Sequence, residues 1–341
     1  MADLACSYTT LVLFPTHALT LSLRVEHIGM PCQLQLLMVL TVIRLLCNTS
    51  GSGKTRLLFE GLCRHWGFYF VVAQGVDGMG ARDLETMIDI MSRTSDWTPD
   101  IFNCPDRKGA RHKNDNIAYN RISKVLLARW VVFEVFIEVS KHVYGGVLHN
   151  GAQRDWLLFQ IHPAIQVNGM DPFLACITNC LQNVDSDLLE TLRVELSPSV
   201  LGPAFSSQST FFYVLDEAQV AGTQYIDAFA DEDIILRRPV LCPIVRHLTS
   251  HPNYSVKLIV SGTGFSLEQF EVVLASGVAK NQSKWKVVHA TGDFSDQDTQ
   301  LAYISRYLPE SFLLSDSGAL LKTRVHEWLR GRYVALIKPR W

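Results

Sequence analysis

The stretch LLCNTSGSGKTRLLFEGL, residues Leu45 to Leu62, decides how the rest of the chain is interpreted. It follows the pattern of a phosphate-binding loop, G-x-x-x-x-G-K-[ST], except that Asn48 stands in place of the first glycine. In such a loop, consecutive backbone N–H groups surround the phosphates and the helix that follows directs its N-terminus at them. After glycine, asparagine best tolerates a positive φ, so we expect the loop geometry to survive this substitution.

The residues of this loop have separate roles. In a phosphate-binding loop, glycines let the backbone approach the phosphates; here we expect Lys54 to reach the outer phosphates and the Thr55 hydroxyl to bind Mg²⁺. The alternative is a turn rich in glycine and serine that happens to hold a lysine, and the strand and helix predicted on either side disfavour it. The predicted nucleotide-binding set is Asn48, Thr49, Ser50, Gly51, Ser52, Gly53, Lys54, Thr55 and Arg56.

Short hydrophobic runs alternate with helical patterns along the chain. The runs predict buried strands over residues 41–47, 68–73, 211–215, 256–260 and 284–290. Helical patterns cover residues 54–66, 122–143, 154–165, 171–184 and 317–333, whereas 76–120 has the composition of an exposed loop. This alternation predicts an α/β fold, a three-layer sandwich with a mostly parallel central sheet.

The domain organisation follows from the same elements. Residues 1–40 are apolar without a clear period and receive no assignment. We predict one domain over residues 41–341, with a helical insertion at about 84–205 between the second strand and the acidic strand.

The strand in FFYVLDEAQ ends in two carboxylates, Asp216 and Glu217. The carboxyl edge of an open α/β sheet is where ligands bind, so we expect Asp216 to hold Mg²⁺ through water and Glu217 to polarise the attacking water. The alternative is a solvated strand end or a helix cap, which the phosphate-binding pattern upstream makes less favoured.

Two weaker elements complete the predicted site. In LIVSGTG, Ser261 and Thr263 follow the next strand and would touch the γ-phosphate or its water, unless the segment is a glycine-rich turn without a ligand. In EWLRGR, Arg330 or Arg332 would reach the γ-phosphate in cis or serve a neighbouring chain in trans, unless both are ordinary surface arginines.

In this order, the loop, the acidic strand and the Ser-Gly-Thr-Gly strand end resemble the additional-strand, catalytic-glutamate division of P-loop ATPases, near the AAA and STAND types. More narrowly, SGSGKTRLLFEGLCRHWGFYF, FYVLDEAQ, VSGTGFSLE and WLRGRY resemble fungal ATPase modules of Crinkler-like and transposon-associated proteins. The resemblance spans roughly residues 41–333 and implies a P-loop NTPase fold with ATP and Mg²⁺ as cofactors. Members of that group often carry a further domain, in some cases a nuclease.

Three functions stay open at this stage. The first is an ATPase that switches conformation with its nucleotide state, and the second is a nucleotide-binding module with negligible turnover that acts through self-association or a protein partner. The third, a nucleic-acid motor or nuclease remnant, is supported by the family association alone. The net charge of −2 gives no basic field that would make nucleic acid the main ligand.

The sequence also bears on the compartment. The eight cysteines form no C-x-x-C pair, which is typical of reduced intracellular thiols, and a glycan on Asn48 would block the loop. We therefore expect an intracellular protein, cytoplasmic or nuclear. Residues 28–47 are long and apolar enough for a membrane span, but Pro31 and two glutamines interrupt them and a buried strand is favoured.

Overall fold

The computed structural model describes most of the predicted domain. The described residues fall within one compact unit, Cys32–Trp341, and the unassigned segment 1–40 lies outside them. They are residues 43–48, 53–74, 78–161, 171–201, 210–231, 233–250, 256–264, 285–288, 297–305 and 308–328.

Five strands form the central sheet, in the order β2-β3-β6-β1-β7, and all their described pairings are parallel. The five are β1 (Ile43–Asn48), β2 (Gly67–Val71), β3 (Phe211–Asp216), β6 (Val256–Thr263) and β7 (Trp285–Val288). Two short strands, β4 (Phe229–Ala230) and β5 (Arg237–Arg238), pair antiparallel apart from it. The predicted α/β fold with a mostly parallel sheet is confirmed.

Helices connect these strands, and all the described elements between β2 and β3 are helical. They are α1 (Lys54–Leu62), α2 (Asp83–Asp89), α3 (Arg107–Val143), α4 (Ala152–Ile161), α5 (Pro172–Asn179), α6 (Ser186–Leu201), α7 (Ala218–Ala221), α8 (Leu241–Thr249), α9 (Gln297–Ile304), α10 (Glu310–Leu313) and α11 (Asp316–Trp328). A single 3-10 turn, Met91–Arg93, follows α2.

The side chains of β3 alternate between two hydrophobic clusters, one on each face of the sheet. Phe212 and Val214 pack with the leucines of α1, whereas Phe211, Tyr213 and Leu215 pack with α3, α5 and α8. Alternate strand residues point to opposite faces, so a strand that is apolar throughout is buried on both. The sheet therefore has helices against both faces.

The long helix α3 corrects one prediction. It begins at Arg107, so the exposed loop predicted over residues 76–120 is wrong from there on, and the partly buried helix α2 contradicts that prediction as well. The Asp106 carboxylate caps the helix by accepting from the Gly109 N–H at 2.9 Å. The sequence does not reveal the first turns of α3 as a helix, because their buried face carries small and polar residues rather than an apolar stripe. Asn114, for example, is fully buried and donates to the carbonyls of Thr98 and Ala228.

Helix α5 matches its prediction at the N-terminus. Asp171 caps it by accepting from the N–H groups of Phe173 and Leu174, and Pro172 occupies the first helical position. Both signals are local, since the cap acts within three residues and proline needs no N–H there.

Strand β2 lies at an edge of the described sheet, and α4 covers it. The Tyr69 N–H donates to Gln160 Oε1 at 2.8 Å, and Trp156 Nε1 donates to the Gly67 carbonyl at 2.8 Å. These side chains satisfy two backbone groups of β2 that would otherwise be left unpaired at the edge of the described sheet.

A buried ion pair connects α2 and α3, which pack on the face of the sheet opposite to α1. Arg129 of α3 donates to both carboxylate oxygens of Asp83 in α2, each at 2.7 Å, and both side chains are fully buried. The guanidinium carbon of Arg129 also lies 3.9 Å from the centre of the Phe173 ring in α5. A paired, stacked guanidinium of this kind tolerates burial, whereas an unpaired one is costly.

Candidate functional site

Three predicted segments meet at the carboxyl edge of the sheet. In the strand order, β6 lies between β3 and β1, so the acidic strand end, the Ser-Gly-Thr end and the start of the loop are neighbours. The register pairs Leu215 with Val260, Cys47 with Gly262 and Asn48 with Thr263. From β1, the strands β6, β3 and β2 lie on one side in the sheet and β7 lies on the other. Open α/β sheets bind ligands at the carboxyl ends of the strands where the strand order reverses in this way.

The backbone of the loop differs from our expectation at its first position. Asn48 is the last residue of β1 and pairs with Thr263, so it has the extended conformation of a strand rather than a positive φ. The left-handed conformation instead occurs at Gly53, with a φ of 85°, immediately before α1. Glycine accepts this conformation without strain. Four other predicted loop residues, Thr49, Ser50, Gly51 and Ser52, lie outside the described part of the chain.

Asp216 is the centre of the described site. It is buried, and its Oδ2 accepts hydrogen bonds from the Thr55 hydroxyl at 3.0 Å and from the Tyr69 hydroxyl at 2.9 Å. Its Oδ1 accepts from the backbone N–H of Glu217 at 3.0 Å. Residues from α1, β2 and β3 thus hold one carboxylate in a fixed orientation, as a precise metal or phosphate site requires.

Lys54 lies within the field of these acids. It is 7% exposed, and its burial lowers its pKa, which the charges of Asp216 and Glu217 partly offset. The two carboxylates favour the charged form of this lysine, and a bound phosphate would favour it further.

Tyr69 responds in the opposite sense. Burial raises its pKa well above the ordinary value, and the neighbouring Asp216 adds to this through its charge and its hydrogen bond. Its hydroxyl therefore stays protonated and remains a donor to Asp216.

Glu217 has an unusual backbone and a bound side chain. Its φ is 55°, one of three positive values among the described residues other than glycine. Its carboxylate accepts a hydrogen bond from Gln219 Nε2, while Gln219 Oε1 accepts from the Thr263 N–H at 3.0 Å. Strained residues of this kind persist where the surroundings hold them in place, often at functional sites.

The structure shows fewer contacts for the remaining predicted residues that it describes. Ser261 is fully buried, and its hydroxyl has no hydrogen-bond partner among the described residues. Arg56 lies on the surface of α1 and pairs with Glu60 at 2.9 Å. The two candidate arginines, Arg330 and Arg332, lie outside the described residues.

Sequence reasoning missed two residues of the site. The apolar run around Tyr69 predicts a buried strand only, but a buried tyrosine needs a partner for its hydroxyl, and that need is the available signal. Gln219 lies two residues after Glu217, but nothing in the local sequence indicates that it also reaches β6.

The described oxygen donors suit a Mg²⁺ ion that takes most of its ligands from phosphates and water. Among the described residues, no group of three or more His, Cys, Asp or Glu could hold a metal ion by itself. Mg²⁺ often takes only one or two protein oxygens and completes its shell with phosphates and water. Thr55 and Asp216, which meet at 3.0 Å, fit that requirement as a direct ligand and a partner through water.

Comparison of the chain with protein-family models, with curated proteins and with solved structures finds no match. Within the described residues, no helix is both long and apolar enough to cross a membrane.

Proposed function

We propose that this chain binds ATP with Mg²⁺ and hydrolyses it, and that its conformation changes with the bound nucleotide. One observation carries the proposal. The hydroxyl of Thr55, which follows the loop lysine, donates to the carboxylate of Asp216 at the end of the acidic strand, although the two residues are 161 positions apart. A chance lysine-containing turn would have no reason to meet a buried strand-end aspartate.

The strand order supports a P-loop NTPase fold of the additional-strand type. Strand β6, which ends in the Ser-Gly-Thr-Gly segment, lies between the loop strand β1 and the acidic strand β3. This is the arrangement expected if β6 is the additional strand, with a polar tip beside the terminal phosphate. The narrower kinship with fungal Crinkler-like modules remains part of the proposal on the motifs alone.

Each side chain then has a role. Lys54 would neutralise the outer phosphates, and Thr55 with Asp216 would hold Mg²⁺, which would screen the charge on the phosphates when bound. Glu217 accepts a proton from the attacking water, as a general base must. Ser261 offers its buried hydroxyl to the γ-phosphate or to that water.

The test is to measure Mg·ATP affinity and single-turnover hydrolysis on the same set of variants. Lys54→Ala should lose binding, since backbone groups cannot replace the point charge of lysine. As a matched control, Lys141→Ala removes a partly exposed lysine that pairs with Glu138 at the end of α3, and this variant should bind normally. If Lys54→Ala binds ATP as tightly as the wild type, the site is wrongly assigned.

The two acids should separate binding from chemistry. Glu217→Gln should bind normally while turnover falls by about 10²–10⁴-fold, the usual contribution of a general base. Asp216→Asn should weaken Mg²⁺-dependent binding as well as turnover. Hydrolysis by Glu217→Gln at the wild-type rate would move the base to another residue.

A second candidate function is a nucleotide-binding module with negligible turnover, acting through self-association or a protein partner. The observation that favours it is the hydrogen bond from Gln219 that already engages the Glu217 carboxylate. A wild-type chain that binds Mg·ATP but shows no single turnover would establish this alternative.

A further inference from the structure

Gln219 connects the acidic strand end with the tip of β6. Its Nε2 donates to the carboxylate of Glu217, and its Oε1 accepts from the backbone N–H of Thr263 at 3.0 Å. One side chain therefore contacts the proposed general base and the strand end proposed to face the γ-phosphate.

The chemistry of the partners fixes which way this amide points. A backbone N–H can only donate, so Gln219 must present its oxygen to Thr263. Its NH₂ group then faces Glu217, where an ionised carboxylate can only accept. Both contacts are satisfied together, and a reversed amide would satisfy neither.

Gly262 provides the space that this arrangement needs. A Cβ at residue 262 would lie 2.8 Å from Gln219 Oε1 and 3.3 Å from the Gln219 backbone nitrogen. A side chain here would push the amide away from β6. Because Gly262 pairs with Cys47 of β1, the contact lies where β6 adjoins the end of the loop strand.

We infer that Gln219 is the positioning residue of Glu217, holding its carboxylate in the orientation for water activation and tying it to the tip of β6. This inference rests on the proposed function. The left-handed backbone of Glu217 gives its side chain an unusual starting direction, and the Gln219 amide is the described group that fixes where the carboxylate ends. Gln219 itself contacts neither nucleotide nor water in this scheme.

Two substitutions at residue 219 isolate the contact. Gln219→Met keeps the length of the side chain and loses both hydrogen bonds, so kcat should fall roughly 10- to 100-fold, as expected for a lost hydrogen bond to a charged group. Gln219→Glu can still accept from the Thr263 N–H, but it places a second carboxylate beside that of Glu217, so its kcat should fall further. In Gln219→Met, Mg·ATP affinity should stay within about twofold of the wild type, because neither a phosphate contact nor a charge changes.

A double-mutant cycle separates positioning from a merely structural effect. In a Glu217→Gln background, Gln219→Met should cost no more than about twofold, since a residue that acts through Glu217 has nothing left to position. Gly262→Ala should reproduce the kinetic loss of Gln219→Met by displacing the same amide. Thr223→Val is the control, since it removes the hydrogen bond to Val220 in the same segment without touching Glu217.

The outcomes distinguish this inference from the proposed function. If the wild type hydrolyses ATP and Gln219→Met matches its rate, the inference is overturned and the function stands. A faster Gln219→Met also overturns it, because Gln219 would then restrain Glu217. If Gln219→Met lowers kcat equally in the wild type and in the Glu217→Gln background, the role of Gln219 is structural, and this result also overturns the inference. If the wild type binds ATP without any turnover, hydrolysis and positioning both fail and the binding module remains.

Discussion

Replacing Tyr69 by phenylalanine tests whether Asp216 is held as the structure shows. The substitution removes one hydroxyl from a side chain that is 3% exposed. That hydroxyl donates to Asp216 Oδ2 at 2.9 Å, and the ring itself packs edge-on against Phe59 with centroids 5.0 Å apart. Phenylalanine preserves the ring packing, so any effect reports on the hydrogen bond.

The expected loss follows from the neighbours that remain. A hydrogen bond to a charged group contributes about 1.5–3 kcal/mol. Asp216 keeps the Thr55 hydroxyl on the same oxygen and the Glu217 N–H on the other, so it is not left without donors. We therefore expect Tyr69→Phe to lower the free energy of unfolding by about 2 kcal/mol, near the lower part of that range.

Urea denaturation at pH 7 measures this change, with Tyr225→Phe as the matched control. The Tyr225 hydroxyl lies 3.4 Å from both the Ile88 carbonyl and the Ser92 hydroxyl, which are long contacts to neutral groups. Its loss should cost less than about 1 kcal/mol. Equal destabilisation by the two substitutions would refute the reasoning, since the Asp216 contact would then have no special weight.

The same pair of proteins gives an alkaline test with a definite sign. Tyrosine in the unfolded chain ionises near pH 10, whereas burial and Asp216 raise the pKa of Tyr69 in the folded state. The folded state thus keeps a proton that the unfolded state loses, and this stability is present below about pH 10 and lost above it. The stability gap between wild type and Tyr69→Phe should shrink by about 1.4 kcal/mol at pH 11, and a constant gap would contradict the burial argument.

Three further changes test the fold and the site. Asp83→Ala should lower the free energy of unfolding by about 3–5 kcal/mol, because it leaves the buried Arg129 unpaired, whereas Asp83→Leu combined with Arg129→Met should lower it far less. Equal losses in urea denaturation would contradict this. Gly67→Ala should destabilise by about 1–3 kcal/mol, since its Cβ would lie 2.3 Å from the Phe212 carbonyl oxygen, and an unchanged urea midpoint would show that the strands can separate. Burial lowers the pKa of Lys54 and a bound triphosphate should raise it, so ATP binding should take up protons in the pH range between these two pKa values and weaken as the pH rises through that range. Calorimetry in two buffers of different ionisation enthalpy, repeated at rising pH up to the ordinary lysine pKa of 10.5, would reveal the uptake, and identical binding enthalpies at every pH would rule it out.

Much of the local structure could be predicted from short-range patterns. The buried runs located all five strands of the described sheet to within a few residues, and Asp171 with Pro172 marked the start of α5. These signals act between residues a few positions apart, so they are legible in the chain itself. The failure at α3 has the same origin, because its first turns are buried by contacts of Asn114 with distant backbone groups rather than by an apolar period.

For the site, the sequence alone determined the chemistry available: a lysine and a hydroxyl at the start of a helix, and two acids at the end of an apolar strand. Only the tertiary structure decided that β6 lies between β1 and β3, and that Thr55 meets Asp216. It also supplied the Tyr69 hydroxyl and the Gln219 bridge, and it made Asn48 a strand residue. The reason is physical: local periodicity specifies which face of an element is buried, while strand order and register depend on packing between segments far apart in the chain.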